Sequence, residues 1–147
     1  MSFRKEKKYQ ISYSETIEIK KKFYNSGMTS LYPKRTINSL YFDTKNFQLF
    51  KDSEEGVLPR KKIRVRWYKN IKKYTKEIKI SSIEGRFKIK EPFKFYHSLE
   101  DISLFDQQYG TLFPSIIIQY EREYFLYRKV RITFDRNITY SNLNHII

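Results

Sequence analysis

Basic residues that alternate with apolar ones between residues 60 and 90 are the chain's strongest candidates for chemistry. They form three short runs, and successive side chains of a β-strand point to opposite faces, so basic residues two apart share a face. An antiparallel meander would bring the three charged faces side by side. Guanidinium and ammonium groups gathered in this way suit phosphate-type oxyanions, since arginine grips two oxygens and lysine adds a point charge. The predicted face carries Lys62, Arg64, Arg66, Thr75, Glu77, Lys79, Arg86, Lys88 and Lys90.

This charged face has a second interpretation, the ordinary solvated side of a half-exposed sheet. Like charges on neighbouring strands repel by roughly 2 kcal/mol at about 8 Å and an effective dielectric of about 20. An ordinary outer face mixes both signs, whereas this one is mostly positive, with Glu77 as its carboxylate. The pattern therefore favours an anionic partner over a merely solvated surface.

The composition supports the same class of partner. The 147 residues include 30 Lys and Arg against 16 Asp and Glu, a formal net charge of +14 at pH 7. Such an excess is typical of proteins that bind nucleic acid, phosphate compounds or anionic lipid. The chain has no alanine and is rich in Lys, Ile, Asn, Tyr and Phe, as an AT-rich coding sequence would produce. The arginines therefore weigh more than the lysines, because AT-rich codons do not favour them.

Several other classes of site are excluded or disfavoured. With no cysteine, the chain has neither disulfides nor thiolate metal ligands. His97 and His145 lie far apart, which argues against a histidine metal site. No apolar run reaches the roughly 20 residues of a membrane helix, and the start of the chain lacks the apolar core of a signal peptide. These features favour a cytoplasmic protein.

Strands and short helices would position these residues in one domain spanning 1–147. Helices are predicted from a cap at Ser14 to Gly27, from a cap at Asp43 or Thr44 to Gly56, and from a cap at Ser98. Further strands, with the turns of the meander at 69–72 and 81–85, are expected at 3–12, 36–43, 115–125 and 129–141.

Six segments in order carry a resemblance to a known family. The series RKEKKY, INSLYFDT, KIRVRWY, KEIK, PSIIIQYEREYF and RITFDRNITY resembles the VTC domain, the polyphosphate-polymerase domain of the triphosphate tunnel metalloenzyme superfamily. The resemblance implies an α+β fold: an antiparallel β-barrel or tunnel with a basic interior and short flanking helices. It also implies binding of ATP, triphosphate or polyphosphate, a Mn²⁺ or Mg²⁺ ion held by glutamates, and transfer of the terminal phosphoryl group of ATP onto polyphosphate.

The resemblance also assigns roles to individual positions. Glu6 and Glu77 match carboxylates of the metal site, and Arg4 stands where many relatives have a further glutamate. The placement of Arg122 depends on the resemblance, because alternation puts it on a face with Ile116, Ile118 and Tyr120. The positions that match phosphate ligands are Lys8, Arg64, Arg66, Lys79, Lys88 or Lys90, Arg122 and Arg131.

One departure from the family pattern bears on the tunnel. The chain stops at NLNHII, whereas relatives continue with further strands, one of which carries a Glu-x-Lys pair of the metal site and closing wall. We expect a truncated reading frame, a shortened member with an open trough, or a wall completed by a partner chain. Binding is expected more firmly than catalysis, because a metal glutamate is missing.

Three alternative functions remain open from the sequence. One is a non-catalytic module that binds polyphosphate or nucleotide, and another is a hydrolase related to tripolyphosphatases or thiamine triphosphatases, with water as acceptor. The third is a nucleic-acid-binding protein, which 13 Tyr, 12 Phe and the net charge would permit. Most aromatic residues alternate into the predicted core, which argues against nucleic acid.

Overall fold

One antiparallel sheet carries most of the chain, and two helices flank it. The computed structural model describes residues 5–94 and 98–142. The predicted α+β class is confirmed. In chain order the elements are α1 (Tyr13–Asn25), β1 (Thr29–Asp43), α2 (Gln48–Glu55), β2 (Arg60–Tyr68), β3 (Ile71–Ser82), β4 (Gly85–Phe93), a 3₁₀ turn (Leu99–Asp101), β5 (Leu104–Asp106), β6 (Gly110–Tyr127) and β7 (Val130–Asn142).

The strand order is β4-β3-β2-β1-β6, and β6 also pairs with the short β5 and with β7. The predicted meander is confirmed as β2, β3 and β4, with its turns where the sequence placed them. Over the described residues β4 pairs with β3 alone and β7 with β6 alone. In this part of the chain the sheet is therefore open and does not close into a barrel.

The apolar core lies against one face of the sheet. Its buried residues come from β1, β2, β6 and α2, where Leu49 is 4% exposed. The α2 helix starts where the Asp43 carboxylate accepts hydrogen bonds from the backbone N–H groups of Leu49 and Phe50. It ends at Gly56, whose φ of 72° suits glycine. The predicted helix and its end at Gly56 are confirmed. It begins at Gln48 with Phe47 as its N-cap residue, so the predicted cap at Asp43 or Thr44 is wrong, although both side chains accept hydrogen bonds from N–H groups of the first turn.

The α1 helix lies against the same face as α2. Its Lys20 ammonium pairs with Glu123 at 2.8 Å, and Glu123 points away from the Arg122 side of β6. The helix begins two residues earlier than its predicted Ser14 cap would allow. Ser12 is the cap, because its hydroxyl accepts a hydrogen bond from the Glu15 N–H while the Glu15 carboxylate accepts one from the Ser12 N–H.

Two predicted elements are wrong. Residues 5–12 of the expected first strand are irregular, and its remaining part, including Arg4, lies outside the described residues. The helix expected from Ser98 is only the 3₁₀ turn Leu99–Asp101, and residues 104–106 continue as β5. In the second case, part of the apolar spacing that suits a helix belongs to a strand. His97 and His145 lie outside the described residues.

Candidate functional site

The face of the sheet opposite the core gathers the basic side chains of six strands. Residues directly opposite each other on neighbouring strands share a face, so the register shows which side chains lie together. Arg64 lies opposite Tyr41 on one side and Glu77 on the other, and Glu77 lies opposite Lys90. The cationic face, as we call it, is defined by Arg35, Arg60, Lys62, Arg64, Arg66, Lys79, Arg86, Lys88, Lys90, Arg122 and Arg131, with Glu77 among them.

A buried ion pair lies at the centre of this face. The Arg64 Nε and Nη2 groups lie 2.7 and 2.6 Å from Glu77 Oε2, and Arg64 Nη1 donates to the Tyr41 hydroxyl at 3.0 Å. Both charged side chains are almost fully covered, 9% and 3% exposed. Burial alone would raise the pKa of Glu77, but the charges of Arg64 and then Arg66 lower it to about 2. Glu77 is therefore ionised across the physiological range.

Two lysines beside this pair remain open to solvent. Lys88 Nζ lies 3.2 Å from Glu77 Oε1, and Lys79 lies opposite Lys88 in the register. Desolvation, followed by the charges of Arg64 and Lys88, lowers the pKa of Lys79 to about 8. Desolvation also lowers the pKa of Lys88 to about 8, although the Glu77 carboxylate opposes the shift. These lysines carry their charge at neutral pH and lose it in mild alkali.

Arginine–tyrosine contacts extend the face across β1, β6 and β7. Arg66 donates to the Tyr120 hydroxyl at 2.8 Å. Arg122 holds Asp135 with two hydrogen bonds of 2.6 and 2.8 Å, and its guanidinium lies 5.2 Å from the Tyr120 ring centroid. Arg122 shares its side of β6 with Ile116 and Ile118. These two residues lie opposite Tyr41 and Ser39 of β1, which in turn lie opposite Arg64 and Arg66 of β2. Arg122 therefore belongs to the cationic face.

Arg35 is a member of this face that the sequence argument missed. Its guanidinium lies within 5.4 Å of the ring centroids of Tyr32, Tyr68 and Tyr124, and it donates to the Tyr68 hydroxyl at 3.2 Å. The strand was predicted to start at Thr36, whereas β1 starts at Thr29. The two-residue alternation of the predicted strand, extended back from Ile37, is the one sequence signal that could have placed Arg35 on this face.

Several tyrosines lie on the cationic face and not on the core side of the sheet. The rings of Tyr41 and Tyr124 both contact arginines of the cationic face, Arg64 at 5.8 Å and Arg131 at 5.2 Å. These rings are exceptions to the expectation that most aromatic residues face the core. The tyrosines on this face are Tyr32, Tyr41, Tyr68, Tyr120, Tyr124 and Tyr140, of which Tyr32 and Tyr140 are exposed.

The residues predicted on the first strand lie near the face without forming part of the sheet. Lys8 Nζ is 3.9 Å from Glu6 Oε1, and their side chains are 79% and 58% exposed. Both charges act on the pKa of Lys79, so the segment passes close to that lysine. Lys8 and Glu6 are therefore peripheral to the buried pair.

Comparison with protein-family models supports the assignment that the segments indicated. A model described as the VTC domain matches residues 3–147. This chain belongs to the VTC domain family. The family links it to polyphosphate. A search of curated proteins found no significant match.

The described residues of this VTC domain do not by themselves fit a divalent metal ion. Both carboxylate oxygens of Glu77 contact cationic groups, Oε2 with Arg64 and Oε1 with Lys88. Among residues 5–94 and 98–142, no three acidic or histidine side chains come close enough together to hold a metal. A Mn²⁺ or Mg²⁺ ion at Glu6 and Glu77 therefore stays a prediction.

No helix in the same residues has the length and apolar character needed to span a bilayer.

Proposed function

We propose that the cationic face binds inorganic triphosphate, polyphosphate or the triphosphate of ATP, and that the domain transfers the terminal phosphoryl group of ATP to polyphosphate. One observation supports the proposal most strongly: the predicted phosphate ligands on five separate strands share a single face. These residues are Arg64, Arg66, Lys79, Lys88, Lys90, Arg122 and Arg131.

The arrangement suits phosphoryl chemistry because that chemistry needs charge neutralisation and positioning more than a covalent catalyst. Lys79 and Lys90 are exposed, and Lys88 is accessible, with 33% of its side chain exposed. A chain of phosphates lying along the face would meet these ammonium groups first. Arg66, which is only partly buried, would add a planar fork for two oxygens.

Incubation with ATP and Mn²⁺ tests the catalytic part, with the products separated by gel electrophoresis. Long-chain polyphosphate would support phosphoryl transfer between phosphate chains. Release of free phosphate alone would indicate a hydrolase. Binding of tripolyphosphate by calorimetry without any product would indicate a non-catalytic module, the main alternative.

Competition distinguishes phosphate chains from nucleic acid. A single-stranded RNA with the same number of charges should compete poorly with tripolyphosphate if the face is shaped for closely spaced phosphates. Displacement at equal concentration would contradict the proposal and would favour stacking on the exposed tyrosines.

A partner chain is also part of the proposal. Over the described residues the open edges of β4 and β7 present backbone groups to which another strand can pair. Such a strand would supply the wall that turns the open face into a tunnel. Sedimentation velocity with and without tripolyphosphate would detect association of two copies.

The pKa values of two lysines make phosphate binding sensitive to pH. Because Lys79 and Lys88 titrate at about 8, raising the pH from 7 to 9 removes positive charge that the ligand needs. We expect tripolyphosphate affinity to fall by about tenfold or more over this interval. Calorimetry at several pH values measures the fall, together with proton uptake on binding near pH 8.

A variant carrying Lys79→Arg and Lys88→Arg provides the matched control. Arginine stays charged throughout this range, so the variant should lose the proton uptake and bind more evenly between pH 7 and 9. The titration of the ligand itself is common to both proteins. The same pH profile in the two proteins would contradict the assignment.

A further inference from the structure

We propose that Glu77 is the built-in counter-ion of the cationic face, a positioning residue and not a metal ligand. The proposal rests on the proposed function for its choice of ligand. It starts from the surroundings of the carboxylate, which is 3% exposed and lies on the central strand of the meander.

Both oxygens of this carboxylate are already occupied by cations. Arg64 approaches Oε2 with two nitrogens, at 2.7 and 2.6 Å. Lys88 lies 3.2 Å from Oε1, and Lys90 lies 4.0 Å from the same atom. A divalent ion would have to displace an ammonium group and enter a site already crowded with positive charge. The carboxylate is therefore placed to neutralise protein cations.

This role has two consequences with opposite signs. Glu77 fixes the guanidinium of Arg64, whose remaining terminal nitrogen is held by Tyr41, and it relieves repulsion among the neighbouring cations. The same negative charge opposes any phosphate that approaches the face. Removing the charge should therefore weaken the fold and strengthen phosphate binding. A metal ligand would behave differently, because its removal weakens binding whenever the metal contributes.

Glu77→Gln separates the two roles, since glutamine keeps the shape of the side chain and can still accept a hydrogen bond from Arg64. We expect the variant to bind tripolyphosphate several-fold more tightly than the wild type in buffer containing EDTA. The control is Glu123→Gln, which neutralises a carboxylate on the opposite face and should leave the affinity unchanged. Weaker binding by Glu77→Gln in EDTA would overturn the proposal.

Added Mn²⁺ gives a second arm. If Glu77 is a counter-ion, Mn²⁺ should change tripolyphosphate affinity by the same factor in the wild type and in Glu77→Gln. Loss of a Mn²⁺ enhancement in the variant alone would assign Glu77 to the metal and overturn the proposal.

A third readout needs no ligand and so stands apart from the proposed function. Because Glu77 opposes the lowering of the Lys88 pKa, Glu77→Gln should lower that pKa further below its value of about 8. NMR titration of the lysine side chains measures it, and an unchanged Lys88 pKa would overturn the proposal. Failure of wild-type protein to bind tripolyphosphate would count against the proposed function only.

The reciprocal variant covers the case in which Glu77→Gln does not fold. Lys88→Met removes one of the cations that lower the pKa of Glu77, so that pKa should rise from about 2. Carboxyl NMR titration of Lys88→Met follows this rise. A Glu77 pKa unaffected by the loss of Lys88 would contradict the counter-ion role.

Discussion

Replacement of Arg64 by methionine is expected to lower the free energy of unfolding by about 3 kcal/mol. The substitution leaves the Glu77 carboxylate 3% exposed and without its closest partner. Lys88 and Arg66 remain nearby and compensate in part, which keeps the expected loss near the low end for a broken buried pair. Urea denaturation at pH 7 measures the change.

Two variants separate this loss from a general effect of mutation. Arg64→Met combined with Glu77→Met removes both charges and should recover much of the lost stability, because paired apolar replacements are often neutral. Lys34→Met removes one partner of an exposed pair, with Lys34 48% exposed, and should change stability little. A double variant less stable than Arg64→Met would contradict the assignment of the loss to an unpaired charge.

Acid titration tests how the stability that the Arg64–Glu77 pair contributes depends on pH. The pKa of Glu77 is lowered to about 2, below its unfolded value, so its contribution to stability is present above roughly pH 4.5 and is lost as the pH falls through about 2. In Arg64→Met the Glu77 pKa should rise toward its unfolded value, so the variant should lose less stability between about pH 4.5 and 2 than the wild type, and the difference in stability between the two proteins should shrink in acid.

Alternation of charged and apolar residues was sufficient to predict the meander and its faces. In β2 the side chains of Arg64 and Arg66 oppose Glu77 and Thr75 of β3, as a two-residue period requires. A half-buried sheet makes this pattern reliable, because a slip of one residue would expose every core side chain. The order of the segments then indicated the family, which the VTC model match confirms.

The sequence could not predict features that depend on contacts between residues far apart in the chain. Arg35 precedes the predicted start of the strand at Thr36, and the pairing of β1 with β6 shifts register twice in the residues before Arg35, so no regular strand pattern in the sequence leads up to it. Its partners Tyr68 and Tyr124 come from β2 and β6, and only the folded sheet brings these rings around the guanidinium. The irregular path of residues 5–12 could not be predicted either, because the alternation of these residues is typical of a strand.

Removal of three cations from the face should have the largest effect on binding. We expect Arg66→Ala, Lys79→Ala and Lys88→Ala together to weaken tripolyphosphate binding more than a hundredfold, since a hydrogen bond to a charged group contributes about 1.5–3 kcal/mol. These side chains lie around the buried Arg64–Glu77 pair, and their loss leaves that pair in place. Circular dichroism would check that the triple variant is folded.

The matched control removes the same formal charge from the opposite side of the molecule. Lys21 and Lys22 lie on α1 and Lys51 on α2, all are exposed, and both helices pack on the core side of the sheet. Replacing these three lysines by alanine changes the net charge equally. It should reduce tripolyphosphate affinity only through weaker long-range attraction, which salt screens.

Calorimetric titration of tripolyphosphate into the wild type and these two triple variants, at physiological salt, tests the central claim most directly. The account predicts tight binding by the wild type, nearly the same affinity in the helix variant, and a loss of more than a hundredfold in the variant of the cationic face. Equal losses in the two variants would show that net charge alone attracts the ligand, and would contradict a phosphate site on this face.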